Sequence, residues 1–296
     1  MDRKARAKLV QRYRVTSGKG FRLKDIDTGD TNGFPGNKAD AEQILAEGTA
    51  RLAELQDKLY AQDRWAVLAI FQAMDAAGKD GAIKHVFSGL NPQGCTVEAF
   101  KAPSTTELDH DFLWRHALAL PRRGQIGIHN RSWYEEVLVA RVHPEVLARQ
   151  KLPAVLETAN IWTERLEDIA AFERYLGRQG IVLLKFFLHI SPKEQKRRFL
   201  ARIEEPEKNW KFSAADVAER QHWTEYQAAY QEAIRATATE AAPWHVVPAD
   251  HKWFTRLVVS ETIAAAMERL ELHYPDVAAD ERARLQAAKA TLLKED

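Results

Sequence analysis

Residues 65–81 read WAVLAIFQAMDAAGKDG, an apolar run that passes through a short turn into a Gly-Lys pair. The run Trp65–Gln72 has no polar face, which is typical of a strand buried on both sides of a sheet. A helix is expected to follow, up to about Phe87. A strand that turns tightly into a helix directs backbone N–H groups at one point, near the positive end of the helix dipole. The sequence therefore predicts a phosphate-binding loop here.

The loop departs from the usual phosphate-loop pattern at two positions. Ala73 replaces the first glycine, and Asp80 replaces the Ser or Thr that normally follows the lysine and holds magnesium. Another group must then face the metal, and Asp75 is the candidate. The alternatives are a glycine turn with a surface lysine, and Asp75 as a helix N-cap. The predicted phosphate-binding residues are Ala76, Ala77, Gly78, Lys79, Asp80, Gly81, Lys84 and Arg131.

Four further runs rich in β-branched and aromatic residues alternate with segments of helical spacing. They are Thr96–Lys101, Gln125–His129, Ile181–Ile190 and Trp244–Pro248. Apolar strands that alternate with helices indicate an α/β protein whose parallel sheet is covered on both faces. The sequence thus predicts a five-stranded parallel sheet.

The two ends of the chain differ from this pattern. The first 35 residues are basic and then turn-rich, so we expect an extended arm and loop with little core of its own. Residues Lys38–Gln62 have the spacing of an amphipathic helix. The tail, Pro275–Asp296, is charged and Ala-rich, which predicts a solvated helix.

Composition excludes several classes of protein. The chain has 296 residues, enough for a full core, and its one cysteine, Cys95, cannot form an internal disulfide. We expect a cytoplasmic protein without a signal peptide or membrane span. The 43 Lys+Arg nearly balance the 42 Asp+Glu, which argues against a protein whose whole surface is basic and attracts nucleic acid. Charge is uneven, however, because Lys193–Lys211 contains seven basic and four acidic residues.

Several motifs, taken in order, resemble those of the family-2 polyphosphate kinases. They are Asp75–Gly81, Asn130–Glu136, Trp210–Ser213, Trp223–Tyr226, Ala242–Trp244 and Val247–Asp250. The resemblance implies a three-layer α/β/α P-loop kinase fold with a helical lid. It also implies phosphoryl transfer between inorganic polyphosphate and adenine nucleotides, with Mg²⁺, and assembly as a homodimer or homotetramer. We therefore divide the chain into three predicted parts. Residues 1–64 are an N-terminal arm and amphipathic helix that pack on the core, residues 65–271 are the kinase core with the lid at about 192–230, and residues 272–296 are a charged C-terminal helix.

The candidate catalytic residues are Asp75, Lys79, Asn130, Arg131 and Glu135. Lys79 would hold a phosphate and Asp75 would orient magnesium. Asn130 ends the third strand, where ligands gather in open parallel sheets. Where many relatives have Asp this chain has Asn130, and with Glu135 it resembles the branch that accepts AMP as well as ADP. Glu135 fits a first-turn helix carboxylate equally well, and Arg131 could form a structural salt bridge instead of binding phosphate.

The basic segment supplies the predicted lid residues Arg197, Arg198 and Lys208, with the lid tip at Glu204–Trp210. A chain-like polyanion needs a row of cations, although a run of charge is more often a solvated helix face. His129 and the aromatic residues from Trp223 onward are expected to pack, and Cys95 to be inert. The competing functions are an ATP-dependent nucleoside monophosphate kinase and a non-catalytic polyanion-binding protein.

Overall fold

Strand β2 (Ala66–Ala73) lies at the centre of the sheet, and all of its residues are buried in the computed structural model, which describes residues 1–295. It pairs in parallel with β5 (Ile181–His189) on one side and with β4 (Ile126–Asn130) on the other. A strand with two neighbours and two covered faces has no solvated side, which explains its continuous apolar run.

The sheet has the order β1-β6-β5-β2-β4-β3. Its other strands are β1 (Arg14–Val15), β3 (Cys95–Ala99), β4 (Ile126–Asn130), β5 (Ile181–His189) and β6 (Trp244–Pro248). The helices up to β5 are α1 (Arg3–Arg12), α2 (Lys38–Gln62), α3 (Lys79–Val86), α4 (Thr105–Leu108), α5 (Trp114–Leu118), α6 (Glu135–Val142), α7 (Pro144–Ala148) and α8 (Ile161–Arg178). Those after β5 are α9 (Pro192–Glu204), α10 (Ala214–Ala218), α11 (Trp223–Thr237), α12 (Lys252–Glu268) and α13 (Ala279–Leu292).

The longer helices form one layer on each face of the sheet. Helix α12 packs against α1, α2 and α3, whereas α11 packs against α6 and α8. Neighbouring residues of β5 face opposite layers: Phe187 packs on Tyr230 of α11, with ring centres 4.2 Å apart, while Phe186 stacks on Phe71, which contacts Phe87 after α3. The three-layer α/β/α architecture is therefore confirmed.

The prediction of five strands was wrong by one. The five parallel strands are present within one or two residues of their predicted bounds, and within residues 1–295 an antiparallel sixth strand, β1, pairs with β6. A strand of two residues has too short a pattern to be recognised in a sequence.

The prediction of an extended N-terminal arm was also wrong. Residues Arg3–Arg12 form helix α1, and Leu9, Tyr13, Leu23 and Phe34 are buried in the main core. Only Leu9 and Val10 of α1 are buried, among many basic residues. Its apolar face is therefore too narrow to give a clear helical pattern in the sequence. By contrast, helix α2 has the predicted bounds, and α13 has no buried residues, as expected of a solvated helix.

The carboxyl ends of the parallel strands meet at one edge of the sheet. Phe71 lies opposite Asn130, Ala73 opposite Leu188, and His189 opposite Pro248. The loops after these strands therefore converge above β2, where ligands bind in open parallel sheets. No helix within residues 1–295 is long and apolar enough to cross a bilayer.

Candidate active site

The loop between β2 and α3 has the conformation that a phosphate site needs. Gly78 is the N-cap of α3, with φ at 105°, and Ala76 has φ at 60°. A left-handed backbone suits glycine and strains alanine, so the loop is sharply curved. The first-turn amides of α3 have no acceptor inside the helix. They are free to bind an anion at the helix N-terminus.

Lys79 is the first residue of α3 and turns back along the loop. Its Nζ donates to the carbonyl oxygen of Ala73 at 3.1 Å. Burial lowers the pKa of Lys79, and the charge of Arg131 lowers it further, while the carboxylates of Asp75 and Glu135 oppose this. A bound phosphate would stabilise the ammonium form, so the site gains from an anionic ligand.

Arg198 of helix α9 is hydrogen-bonded to the backbone of the phosphate loop. Its Nη1 donates to the carbonyl oxygens of Ala76 and Ala77 at 3.0 and 2.6 Å, and its Nη2 to that of Ala249 at 2.6 Å. Gln195 adds a hydrogen bond to the carbonyl of Asp75 at 2.9 Å. Carbonyls fixed toward α9 leave the amides of the loop to face the other way.

The guanidinium of Arg198 is therefore a support for the loop. Its side chain is 6% exposed and its Nε donates to Glu194, so its donors face protein oxygens. Arg197, the preceding residue, is 67% exposed and makes a two-pronged ion pair with the same carboxylate. Lys208 lies beyond α9 and pairs with Glu205.

Three charged side chains meet beside Lys79. One Nη of Arg131 lies 3.6 Å from Asp75 Oδ1, and the other lies 3.3 Å from Glu135 Oε2. Coulombic attraction by Glu135 raises the pKa of Arg131. Asn130 is turned toward the loop, because its Nδ2 donates to Asp80 Oδ1 at 2.7 Å. The structure thus brings all five candidate catalytic residues to one place.

The structure bears on several of the alternatives raised by the sequence. Asp75 is not the N-cap of α3, since that position is Gly78 and no side chain caps it. Glu135 is both the first residue of α6 and the ion-pair partner of Arg131. His129 is 1% exposed, and burial lowers its pKa to about 4, as expected of a packed histidine. Burial raises the pKa of Cys95 to about 11, which makes its thiol unreactive.

The carboxylates fit a magnesium ion that keeps most of its waters. Asp75 is one-third exposed and lies beside Arg131. Burial raises the pKa of Asp216 in α10, and the nearby charge of Asp75 raises it further. Within residues 1–295 no three His, Cys, Asp or Glu side chains form a complete metal cluster. Mg²⁺ is usually held by one or two carboxylates together with substrate phosphates, so this donor set suits it.

Sequence reasoning missed a group of cations on α12. Arg256 Nη2 lies 3.8 Å from the point where a Cβ on Gly81 would stand, directly beside α3. Burial lowers the pKa of Lys252, as do the charges of Arg198, Lys208, Arg256 and Arg197. The i, i+4 spacing of Lys252 and Arg256 after a predicted strand was the available signal.

We use the name outer cations for three side chains near the loop: Lys84, Lys252 and Arg256. Within the described chain none of them forms a salt bridge or a side-chain hydrogen bond. Lys252 lies near Arg256 and near the cations of α9, whose charges disfavour its own. The charge of Glu42 opposes the effect of burial on the pKa of Arg256. This part of α12 therefore favours an anionic ligand, and Lys84 adds an exposed cation on the last turn of α3.

Comparison with known proteins relates most of the chain to one group. Residues 36–275 match the family described as Polyphosphate kinase 2 (PPK2). The ADP-polyphosphate phosphotransferase of Rhodopseudomonas palustris is 49% identical over 286 residues, which cover 96% of this chain and 99% of that protein. The AMP/ADP-polyphosphate phosphotransferase of Meiothermus ruber is 44% identical over 266 residues, covering 90% of this chain and 96% of the relative.

A solved structure agrees with these relatives. The crystal structure of polyphosphate kinase 2 from Arthrobacter aurescens TC1 superposes with a TM-score of 0.86 at 41% identity. The match covers 95% of this chain and 97% of the other. The fold and the sequence motifs therefore point to the same family.

Proposed function

This chain belongs to the polyphosphate kinase 2 family, and from that premise we propose that it transfers the terminal phosphoryl group of inorganic polyphosphate to AMP and ADP, giving ADP and ATP. The observation that carries the proposal is the convergence of Lys79, Asp75 and Arg131 above β2. Phosphoryl transfer needs in-line positioning and neutralisation of charge, and these residues supply both.

Lys79 and the first-turn amides of α3 hold the phosphoryl group at the helix N-terminus. Arg131 lies between Asp75 and Glu135, so its planar guanidinium is already oriented when a phosphate arrives. Asp75, with Asp216 nearby, would hold Mg²⁺. When bound, the ion neutralises charge on the phosphate oxygens.

The acceptor assignment rests on Asn130 and Glu135. Asn130 is held by Asp80 and presents a neutral amide beside the phosphate loop, which can hydrogen-bond a phosphate or a bound water. An anionic side chain at this position would repel an acceptor phosphate, and the amide does not. The Meiothermus ruber relative is named for both AMP and ADP, and the Rhodopseudomonas palustris relative for ADP.

Donor binding rests on the outer cations together with Arg197 and Lys208. Polyphosphate carries about one negative charge per phosphate unit, so a row of separate cations suits it better than a closed pocket. The segment at about residues 192–230 would act as the lid over this row. Binding of the donor is then expected to weaken with salt.

We extend the proposal to assembly and location. A cytoplasmic homodimer or homotetramer follows from the resemblance of the motifs, and the single cysteine is consistent with a reducing compartment. Light scattering on the purified protein tests the assembly, and one monomeric mass at micromolar concentration contradicts it.

The deciding experiment is a donor and acceptor screen. Purified protein is incubated with Mg²⁺, with polyphosphate or ATP as donor and with AMP or ADP as acceptor, and the nucleotides are separated by chromatography. Polyphosphate with AMP should give ADP and ATP. If polyphosphate phosphorylates ADP but not AMP, the acceptor is restricted to ADP. Activity with ATP and AMP, but none with polyphosphate, indicates a nucleoside monophosphate kinase. No turnover with any pair indicates a polyanion-binding protein.

A further inference from the structure

A charged pair lies in the middle of the core, behind the active-site loop. Lys185 of β5 and Glu173 of α8 are 0% and 3% exposed, and Lys185 Nζ lies 2.5 Å from Glu173 Oε2. Burial lowers the pKa of Lys185 and raises that of Glu173, so each charge depends on the other. Removing two charges from water is unfavourable, and a well-packed apolar pair is often at least as stable. The pair therefore needs an explanation beyond stability.

The pair is joined to the segment that carries Arg131 and Glu135. The hydroxyl of Tyr134 donates to Glu173 Oε1 at 2.6 Å and accepts a hydrogen bond from Lys185 Nζ at 3.2 Å. Trp133 Nε1 donates to the same Glu173 oxygen at 3.3 Å. Both aromatic residues are fully buried. Trp133 and Tyr134, which lie between Arg131 and Glu135 in the sequence, are thus both hydrogen-bonded to Glu173.

The network also contacts the C-terminal end of α11, the helix that follows the predicted lid tip. Lys185 Nζ donates to the carbonyl oxygen of Thr237, the last residue of α11, at 2.8 Å. The hydroxyl of Tyr134 lies 2.8 Å from Thr237 Oγ1. A cation at a helix C-terminus satisfies a free carbonyl and interacts favourably with the helix dipole. Lys185 therefore ties α11 and the active-site segment to one point.

The active-site segment needs such an anchor because Arg131 is strained. Its φ is 70°, a left-handed conformation that costs free energy in any residue with a Cβ. Its N–H donates to Phe71 at 3.0 Å, and the buried Ser132 accepts from Gln72 at 3.0 Å. These bonds fix the start of the turn, and Tyr134 fixes its end.

We propose that Lys185, acting through Glu173 and Tyr134, is a positioning residue that keeps Arg131 and Glu135 aligned with the phosphate loop. The inference rests on the proposed function for its kinetic consequences, but its structural consequence stands alone. When the network is broken, the strained turn at Arg131 relaxes and Glu135 moves with it. The outer cations lie on α3 and α12, away from this network, and keep their places.

The sharpest variant is Tyr134→Phe, which keeps the ring and removes only the hydroxyl. We expect kcat/KM for the nucleotide to fall about ten- to hundredfold, as when supporting hydrogen bonds of a site are removed. The KM for polyphosphate should stay within about twofold. Lys185→Met leaves a buried carboxylate unpaired and is expected to be too unstable to purify. The double variant Lys185→Met/Glu173→Leu replaces it, because it removes both charges and the acceptor of Tyr134. That double variant should match the unfolding midpoint of the native protein more closely than either single variant, yet lose activity like Tyr134→Phe.

Glu261→Gln is the matched control. Glu261 is a buried carboxylate that pairs with Arg51 at 3.1 Å across the contact of α2 and α12, remote from the network. Its loss should lower stability and leave both KM values unchanged. If the double variant and Tyr134→Phe fold and keep native kcat and KM, the pair is structural only and the proposal is overturned.

A second measurement does not depend on activity. Hydrogen–deuterium exchange of the peptide spanning residues 130–137 should quicken more than tenfold in Tyr134→Phe and in the double variant, but not in Glu261→Gln. Unchanged protection overturns the proposal even if the native protein proves inactive. An inactive native protein whose variants lose protection contradicts the proposed function and leaves the positioning role supported.

Discussion

Two groups of cations surround the same loop, and they differ in what holds them. Lys79, Arg131 and Arg198 lie on the inner side and contact protein oxygens at 2.6 to 3.6 Å. The outer cations, Lys84, Lys252 and Arg256, have no such partners within residues 1–295. We expect the inner group to fix geometry and the outer group to supply attraction, because only a held charge is preorganised.

The largest effect should come from Lys79→Met. We expect kcat to fall on the order of 10²- to 10³-fold, as when one preorganised donor is lost from a reacting centre. Stability should change little or rise, because burial and Arg131 already disfavour the lysine charge. Turnover is measured as ATP formed from ADP and polyphosphate, and stability by thermal unfolding.

Lys84→Met is the outer counterpart, since Lys84 is exposed and one turn further along α3. Its kcat should stay within about threefold of native, with the effect confined to the KM for polyphosphate. Equal losses of kcat in the two variants contradict the division between inner and outer groups.

Arg198→Met and Arg197→Met test the division between neighbouring residues. Loss of Arg198 leaves the carbonyls of Ala76 and Ala77 and the carboxylate of Glu194 without their partner. We expect a free energy of unfolding lower by about 3 kcal/mol, together with lost activity. The exposed Arg197 should cost no more than about 0.5 kcal/mol. Urea denaturation of both variants gives the comparison, and similar losses would falsify it.

The same pair of arginines shows where prediction from sequence ends. Both were predicted as lid cations because they lie in a basic run. Adjacent helix positions are turned by about 100° from one another, so one faces the core when the other faces solvent. The two Nη atoms of Arg198 donate to backbone carbonyls more than 50 residues away, and a carbonyl leaves no mark in a sequence.

The central strand shows the opposite case. β2 and its loop were predicted within one residue, because an unbroken apolar run followed by a Gly-Lys turn has few other interpretations. Lys185 stands inside another such run, Ile181–Ile190, and its charge had no visible purpose there. Its role depends on Glu173 and Tyr134, which only the tertiary structure brings beside it.

The buried His129 of β4 should make the stability of the fold sensitive to acid. Burial lowers the pKa of His129 to about 4, against about 6.5 when unfolded. Between these values the unfolded state binds more protons, so stability is fully present above pH 6.5 and is lost as the pH falls toward 4. At pH 5 this histidine alone should lower the free energy of unfolding by about 2 kcal/mol.

The matched variant is His129→Gln, which stays neutral and can donate to the carbonyl of Ala119, the present partner of His129. Urea denaturation at pH 7.5 and pH 5.0 should give a difference that is about 2 kcal/mol smaller in the variant than in the native protein. An equal difference in both proteins means that His129 does not carry this part of the acid response.

The smallest effect concerns the outer cations of α12. In Lys252→Ala/Arg256→Ala we expect the KM for polyphosphate to rise about five- to twentyfold, because the exposed Lys252 and the half-buried Arg256 each contribute about 1 kcal/mol or less. The kcat and the KM for ADP should not change, since neither residue contacts the inner group through a hydrogen bond or ion pair.

Salt separates this effect from a general loss of structure. A plot of log KM for polyphosphate against log salt concentration should have a slope that is smaller by about one for each cation removed. The double variant and the native protein should then approach the same KM at high salt, where exposed charges are screened. Because Arg197 is held by Glu194 on the outer face of α9, Arg197→Ala should lower the slope by less than either α12 residue does. A native slope in the double variant would mean that the donor crosses the protein elsewhere, and the comparison of inner and outer cations would then fail at its outer half.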